Sequence, residues 1–282
     1  MRLSTLFVTD GDEGEEFVSG FSTWVPEEID QDQPSSARVY DFLLGGGSNF
    51  AVDRELAGKL MATMPAREMA VYNRAFLRRA VLFMAGEGIT QFIDLGSGIP
   101  TVGNVHEIAQ KAAPDCRVVY VDRDSVAIAH SRLMLEGNEN ALAVQADIRD
   151  PADVLTHAAE LIDLDRPVGL LAIGVLHFVT QDPDGLMARY RNALVPGSHL
   201  ALSTVTGDWM PAHLSAAMEV VRGTPNEVNV WNHREVVRMF GEFALVEPGV
   251  VAAPMWRPER PGTVTEDDAR MSNIYAGVAR KC

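Results

Sequence analysis

Three apolar runs in this chain each finish on or beside a carboxylate: Phe92-Ile93-Asp94-Leu95, Val118-Val119-Tyr120-Val121-Asp122 and Ala143-Val144-Gln145-Ala146-Asp147. A carboxylate accepts hydrogen bonds from hydroxyl and amino groups and attracts cations. Directly after the first run stand Gly96-Ser97-Gly98, where glycine lets the backbone turn tightly and approach a ligand closely. Two details favour S-adenosylmethionine over a dinucleotide. Asp94 would repel a pyrophosphate but suits the amino-acid end of a sulfonium ligand. The third glycine of a GxGxxG loop is missing, because the register reads Gly96, Gly98, Thr101. The competing reading of this segment is a plain tight turn between strand and helix.

Asp122, followed by Arg123, is placed to take both hydroxyls of a ribose. Its alternative is a solvated cap for the helix that follows. Asp147 could accept from an adenine amino group while the Ile148 N–H serves a ring nitrogen. Equally, Asp147 could cap the turn at Asp150-Pro151. A fourth segment, Ala172-Ile173-Gly174-Val175-Leu176-His177-Phe178, ends a strand at Gly174 and would line the sulfonium and an acceptor pocket. His177 titrates in a range suited to a general base, and a structural or ring-stacking histidine is the even alternative. Asp208 is a weaker base candidate, read first as a loop acid.

These residues require strands that deliver them to one edge. Gln91–Leu95, Arg117–Asp122, Ala141–Asp147, Pro167–Gly174 and Ser198–Thr204 read as strands, separated by helical segments at Asn104–Ala113, Ser125–Leu135, Val154–Ile162 and Leu186–Ala193. Further helices are expected at His213–Val221 and Arg234–Phe240, and final strands at Ala244–Val251 and Ile274–Ala279. Alternation of this kind predicts an α/β fold, a doubly wound, Rossmann-like, mostly parallel seven-stranded sheet with an antiparallel C-terminal edge strand. Ligands of such sheets bind at the carboxyl ends of the strands, where the three acids would gather. Before the first strand the pattern is helical only. Ser35–Leu44 has a serine N-cap candidate and a Gly45-Gly46-Gly47 stop, Asn49–Met64 follows, and Glu68–Gly86 is strongly helical. The organisation expected is an acidic, partly flexible leader over 1–33, a helical N-terminal cap over 34–87 and the α/β domain over 88–282.

Composition narrows the function. Across 282 residues, 24 Lys and Arg face 39 Asp and Glu, a net charge of −15, which disfavours a general binder of nucleic-acid backbone. Much of the excess lies between Arg2 and Arg38, where nine acids and no intervening base occur. No Asn-Pro-Pro-aromatic signature for attack by a base amine is present. Two cysteines, Cys116 and Cys282, read as free thiols in a reducing cytoplasm. No secretory signal and no uncharged apolar run near the ~20 residues of a membrane span is seen, so a cytoplasmic protein without membrane contact is expected.

Several longer motifs occur in order: Ala37-Arg38-Val39-Tyr40-Asp41-Phe42-Leu43-Leu44-Gly45-Gly46, Asn49-Phe50, Asn73-Arg74-Ala75-Phe76-Leu77-Arg78-Arg79-Ala80, and Gly96-Ser97-Gly98-Ile99-Pro100-Thr101 with Gly103-Asn104-Val105-His106-Glu107. With Val175-Leu176-His177-Phe178 and Glu247-Pro248-Gly249-Val250-Val251, they resemble the actinobacterial S-adenosylmethionine-dependent methyltransferase family long catalogued as a domain of unknown function. The likeness spans roughly residues 25–282. It implies S-adenosylmethionine as cofactor, a small-molecule methyl acceptor, and a helical cap whose Tyr40, Asp41, Gly45, Asn49 and Arg74 wrap the cofactor. Arg74 would fork onto the methionine carboxylate. Family members usually carry a basic and then an acidic or polar residue after the two glycines, whereas Gly47 and Ser48 stand here. A non-catalytic S-adenosylmethionine-binding sensor or interaction protein and, on the same fold, an NAD-dependent oxidoreductase are the rival functions.

Overall fold

The computed structural model describes residues 30–100, 103–260 and 262–282. The leader expected over 1–33 therefore lies outside the described residues except for its last four, as does Thr101 of the glycine-loop motif. Three helices open the described chain: α1 (Ser36–Leu43), α2 (Ala51–Thr63) and α3 (Ala66–Gly86). Helix α1 stops where Gly45 takes φ +84°, a conformation costly for any side chain with a Cβ. Pro65, which cannot continue α2, separates it from α3.

The sheet follows. Strands β1 (Gln91–Leu95), β2 (Arg117–Asp122), β3 (Ala141–Gln145), β4 (Gly169–Ile173) and β5 (His199–Val205) are parallel. Helices α4 (Val105–Ala112), α5 (Ser125–Met134), α6 (Pro151–Ala158) and α7 (Pro183–Ala193) connect them. After β5 come α8 (Pro211–Val221), α9 (His233–Met239), the two-residue strands β6 (Ala244–Leu245) and β7 (Val251–Ala252), α10 (Glu266–Ser272) and β8 (Ile274–Arg280). The order across the sheet is β3-β2-β1-β4-β5-β8-β6, with β7 also on β8, and β8 runs antiparallel to β5, β6 and β7. The mostly parallel sheet with an antiparallel C-terminal part is the expected one. Its eighth strand arises because the single strand read at Ala244–Val251 breaks in two. Pro248 lacks a ladder donor, and Gly249 N instead donates to Val246 O (2.8 Å), closing a turn.

Alternate residues of each strand face opposite layers. Phe92, Val118, Tyr120 and Leu171 share a core with α3 and α4, whereas Ile93, Val119, Val121 and Leu170 share one with α6, α7 and α9. Burial on both faces explains why these strands read as unbroken apolar runs. Polar links tie the cap helices to one another and to the sheet region. Arg38 Nε donates to Asp53 (2.7 Å) between α1 and α2, with Asp53 fully buried. Ser35 occupies the N-cap position of α1, but its hydroxyl caps nothing and reaches Asp124 beyond β2. Cys116 is buried and free, and Cys282 is exposed and free. Among the described residues no helix is long and apolar enough to cross a membrane.

Candidate active site

The carboxyl ends of β1, β2, β4 and β5, the loop after β3, and helices α1, α2, α3 and α8 enclose one cavity of about 260 Å³. That volume is on the scale of a small-molecule site. Of the residues singled out from sequence, Tyr40, Arg74, Asp94, Gly96, Ser97, Gly98, Asp122, Arg123, Asp147, Ile148, Gly174 and His177 all line it.

The glycine loop is built by its neighbours. Gly96 N (2.8 Å) and Ser97 N (3.0 Å) donate to Val121 O, and Gly98 N donates to Asp122 Oδ2 (2.7 Å). Gly96 and Gly98 take φ +67° and +65°. A Cβ on Gly96 would come within 2.3 Å of Val175 Cγ2, so glycine is required there for packing as well as for φ. A Cβ on Gly98 would meet nothing within 4 Å, which leaves open space beside the loop.

Asp122 is 8% exposed, and the cap of α5 is Asp124, whose Oδ1 accepts from Val126 N (2.8 Å) and Ala127 N (3.2 Å). The solvated-cap reading of Asp122 therefore does not describe this site. Burial raises its pKa despite backbone N–H bonds from Asp124 and Gly98. Asp94 is 4% exposed. Burial lifts it to about 7, with Arg74 opposing and Asp122 reinforcing the rise. Such a carboxyl is poised to ionise when a cation arrives. Asp147, two residues past β3, is held by Arg149 through Nε (2.9 Å) and through the backbone N–H (2.9 Å), and this pairing lowers its pKa. The helix cap nearby is Asp150.

His177 sits in a single 3₁₀ turn, Leu176–Phe178, just past β4. Its carbonyl accepts from Asn229 N (2.7 Å), its Nδ1 is buried without a partner, and burial lowers its pKa to about 4. The ring is thus neutral near pH 7 and able to accept a proton. Asp208 is exposed, outside the cavity lining, and accepts from Tyr275 Oη (3.0 Å) and His233 N (3.1 Å), a loop-bracing arrangement.

Three expected cofactor contacts, Asp41, Gly45 and Asn49, lie outside the cavity lining. Asp41 Oδ2 instead accepts from Ser48 N and Asn49 Nδ2, both at 2.8 Å, and braces the loop after α1. A Cβ on Gly46 would lie 1.9 Å from Asp41 Oδ1, which explains glycine at that position. Gly47 and Ser48 belong to this same loop. Two site residues were not singled out from sequence. Asn73 Nδ2 donates to Tyr40 Oη (3.1 Å), Ser203 Oγ donates to Asn73 Oδ1 (2.5 Å), and Gly174 N donates to Ser203 Oγ (3.0 Å). This chain of bonds ties cap helices α1 and α3 to β4 and β5. Thr204 lines the cavity with a buried, unpartnered Oγ1.

Among the described residues, four buried polar atoms on the cavity wall lack partners: Arg74 Nε, Ser97 Oγ, His177 Nδ1 and Thr204 Oγ1. Buried polar atoms are nearly always hydrogen-bonded, so this wall is made for a polar ligand. The residues present fit S-adenosylmethionine: carboxylates for its amino and hydroxyl groups, a guanidinium for its carboxylate and an open glycine loop between them. Strand order, glycine loop and strand-end acids together define a class I, Rossmann-like, S-adenosylmethionine-dependent methyltransferase. The chain belongs to the S-adenosyl methyltransferase family, which matches residues 22–282. It is similar to a putative methyltransferase from Thermobifida fusca YX (41% identity, TM-score 0.86, covering 92% of this chain and 99% of that one). It is also similar to a DUF574 family protein from Streptomyces avermitilis MA-4680 (34% identity, TM-score 0.83, covering 89% and 99%). No curated protein matches the chain.

Proposed function

We propose that this enzyme transfers the methyl group of S-adenosylmethionine, by in-line displacement, to a small-molecule acceptor held in the same cavity. When bound, the cofactor supplies a methyl group already activated by its sulfonium. Asp94 and Arg74 would hold the amino-acid end, Asp122 the ribose hydroxyls, and Asp147 with Ile148 N–H the adenine. Arg123, Gly96, Ser97, Gly98, Gly174 and Tyr40 complete the wall. The protein's own task is then to position the acceptor and keep water out. His177 Nδ1 would receive the proton of a hydroxyl acceptor, since it is buried, unpartnered and neutral near pH 7. We place the reaction in the cytoplasm, where the free thiols Cys116 and Cys282 suit a reducing environment.

The observation that carries this reading is one cavity lined by the strand-end acids, the glycine loop and an unpartnered imidazole nitrogen. Titration calorimetry with S-adenosylhomocysteine tests it. Asp122→Ala should weaken binding by about 1–3 kcal/mol, the scale of leaving buried donors unpaired. Affinity unchanged by that substitution would remove Asp122 from the site. Cofactor binding without turnover over a broad acceptor screen would instead support a sensor.

A further inference from the structure

Charge is distributed unevenly around the cavity. Its charged lining residues are Arg74, Asp94, Asp122, Arg123, Asp147 and Arg149, and with the exception of Arg74, on α3, they stand at or just after β1, β2 and β3. The rest of the wall, over the ends of β4, β5 and β8, carries none. There α2 contributes Leu56 and Leu60, its C-cap residue Met64 follows, and α8, which packs against α2, contributes Leu214, Met218 and Val221. Apart from Asp53, which is buried in its ion pair with Arg38, the charged residues on and beside these helices face outward: Glu55 pairs with Lys59, and Glu219 with Arg222, on exposed surface. Among the described residues, two polar atoms of lining residues past β4 and in β5 are buried without partners, His177 Nδ1 and Thr204 Oγ1.

A charged group entering this apolar side of the cavity would lose its water and find no counter-ion. A neutral apolar body would lose nothing of that kind and would cover the leucine and methionine side chains. A hydroxyl on such a body would satisfy the orphan His177 Nδ1 by donating to it. We propose that the acceptor is a neutral, mainly apolar small molecule that presents a single hydroxyl to His177, with its body against α2 and α8. This rests on the functional reading above and names the substrate class of the same site. On transfer the hydroxyl oxygen forms the new bond to the methyl carbon, the carbon–sulfur bond breaks with its electron pair left on sulfur, and the hydroxyl proton passes to His177 Nδ1.

The test uses the full chain saturated with S-adenosylhomocysteine and three probes measured by calorimetry: 2-naphthol, its 6-sulfonate and its 6-aminomethyl derivative. The neutral probe should bind at least ~10-fold more tightly than either charged one. Leu60→Asp and Met218→Asp should each weaken 2-naphthol by a similar factor while S-adenosylhomocysteine affinity stays within about twofold. Equal or tighter binding of a charged probe to the wild type, or no binding of 2-naphthol at millimolar concentration, overturns the proposal whatever the variants do. Failure of S-adenosylhomocysteine itself to bind would overturn the functional reading on which it rests. Intact S-adenosylhomocysteine binding with no preference for the neutral probe overturns the acceptor class alone.

Discussion

Burial moves His177 and Asp94 in opposite directions, and each shift has a measurable consequence. With its pKa lowered to about 4, His177 keeps its proton-accepting form down to mildly acidic pH. With S-adenosylmethionine saturating, so that Asp94 does not shape the profile, the acid limb of kcat should therefore fall well below the ~6.5 of an ordinary histidine. A limb near 6.5 in the pH profile would show that the ring is solvated during turnover. His177→Asn should lower kcat by about 10²–10⁴-fold and leave S-adenosylhomocysteine affinity unchanged. Asp94 is raised to about 7 from 3.8, so the folded state favours its neutral form. Its penalty on stability is absent below pH ~4, grows as pH rises towards 7, and is constant above that. A cationic ligand favours the ionised form. Affinity for S-adenosylmethionine should accordingly rise with pH, by up to ~10-fold per unit below about 7, and then level off. Proton release on binding at pH 6, read from calorimetry in buffers of different ionisation enthalpy, checks this, and Asp94→Asn should abolish it.

At the level of helices and strands, the cap helices are held to one another by buried polar contacts as well as by apolar packing. Asp53 accepts from Arg38 Nε, Ser35 N (2.9 Å) and Phe50 N (2.8 Å), fixing the angle between α1 and α2. Arg38→Met would leave that carboxylate buried without its cation. Such losses cost about 3–5 kcal/mol, which urea unfolding would register as a lower midpoint, with weaker S-adenosylhomocysteine binding alongside. The spans of α1, α2 and α3 were legible because apolar periodicity and the breakers at Gly45 and Pro65 are local signals. The destinations of Asp41, Asn49 and Ser35 were not. Ser35 meets Asp124 across 89 positions of chain, and no local pattern encodes such a pairing. Asn73 was hidden for the same reason: its partners Tyr40 and Ser203 become neighbours only once α3 lies over the sheet.

For the whole molecule, the parallel half of the sheet was readable throughout, because strands buried on both faces must be apolar and must alternate with helices. The cavity's polar half followed, since strand-end acids and glycines have to gather at one edge. Its apolar half did not. Leucine and methionine on α2 and α8 look the same in sequence whether they fill a core or line a chamber. The antiparallel part of the sheet also carries a cost in order of assembly. Strand β8 is the neighbour of β5, β6 and β7 alike, yet it lies after all of them along the chain. During synthesis on the ribosome, β5 must wait with one bare edge while some seventy further residues emerge, and β6 and β7 have nothing to zip onto. That waiting edge invites pairing with another nascent chain. Stopping translation after Ser272 should therefore yield aggregated polypeptide in a sedimentation assay, whereas supplying residues 273–282 in trans as a peptide should return part of it to the supernatant.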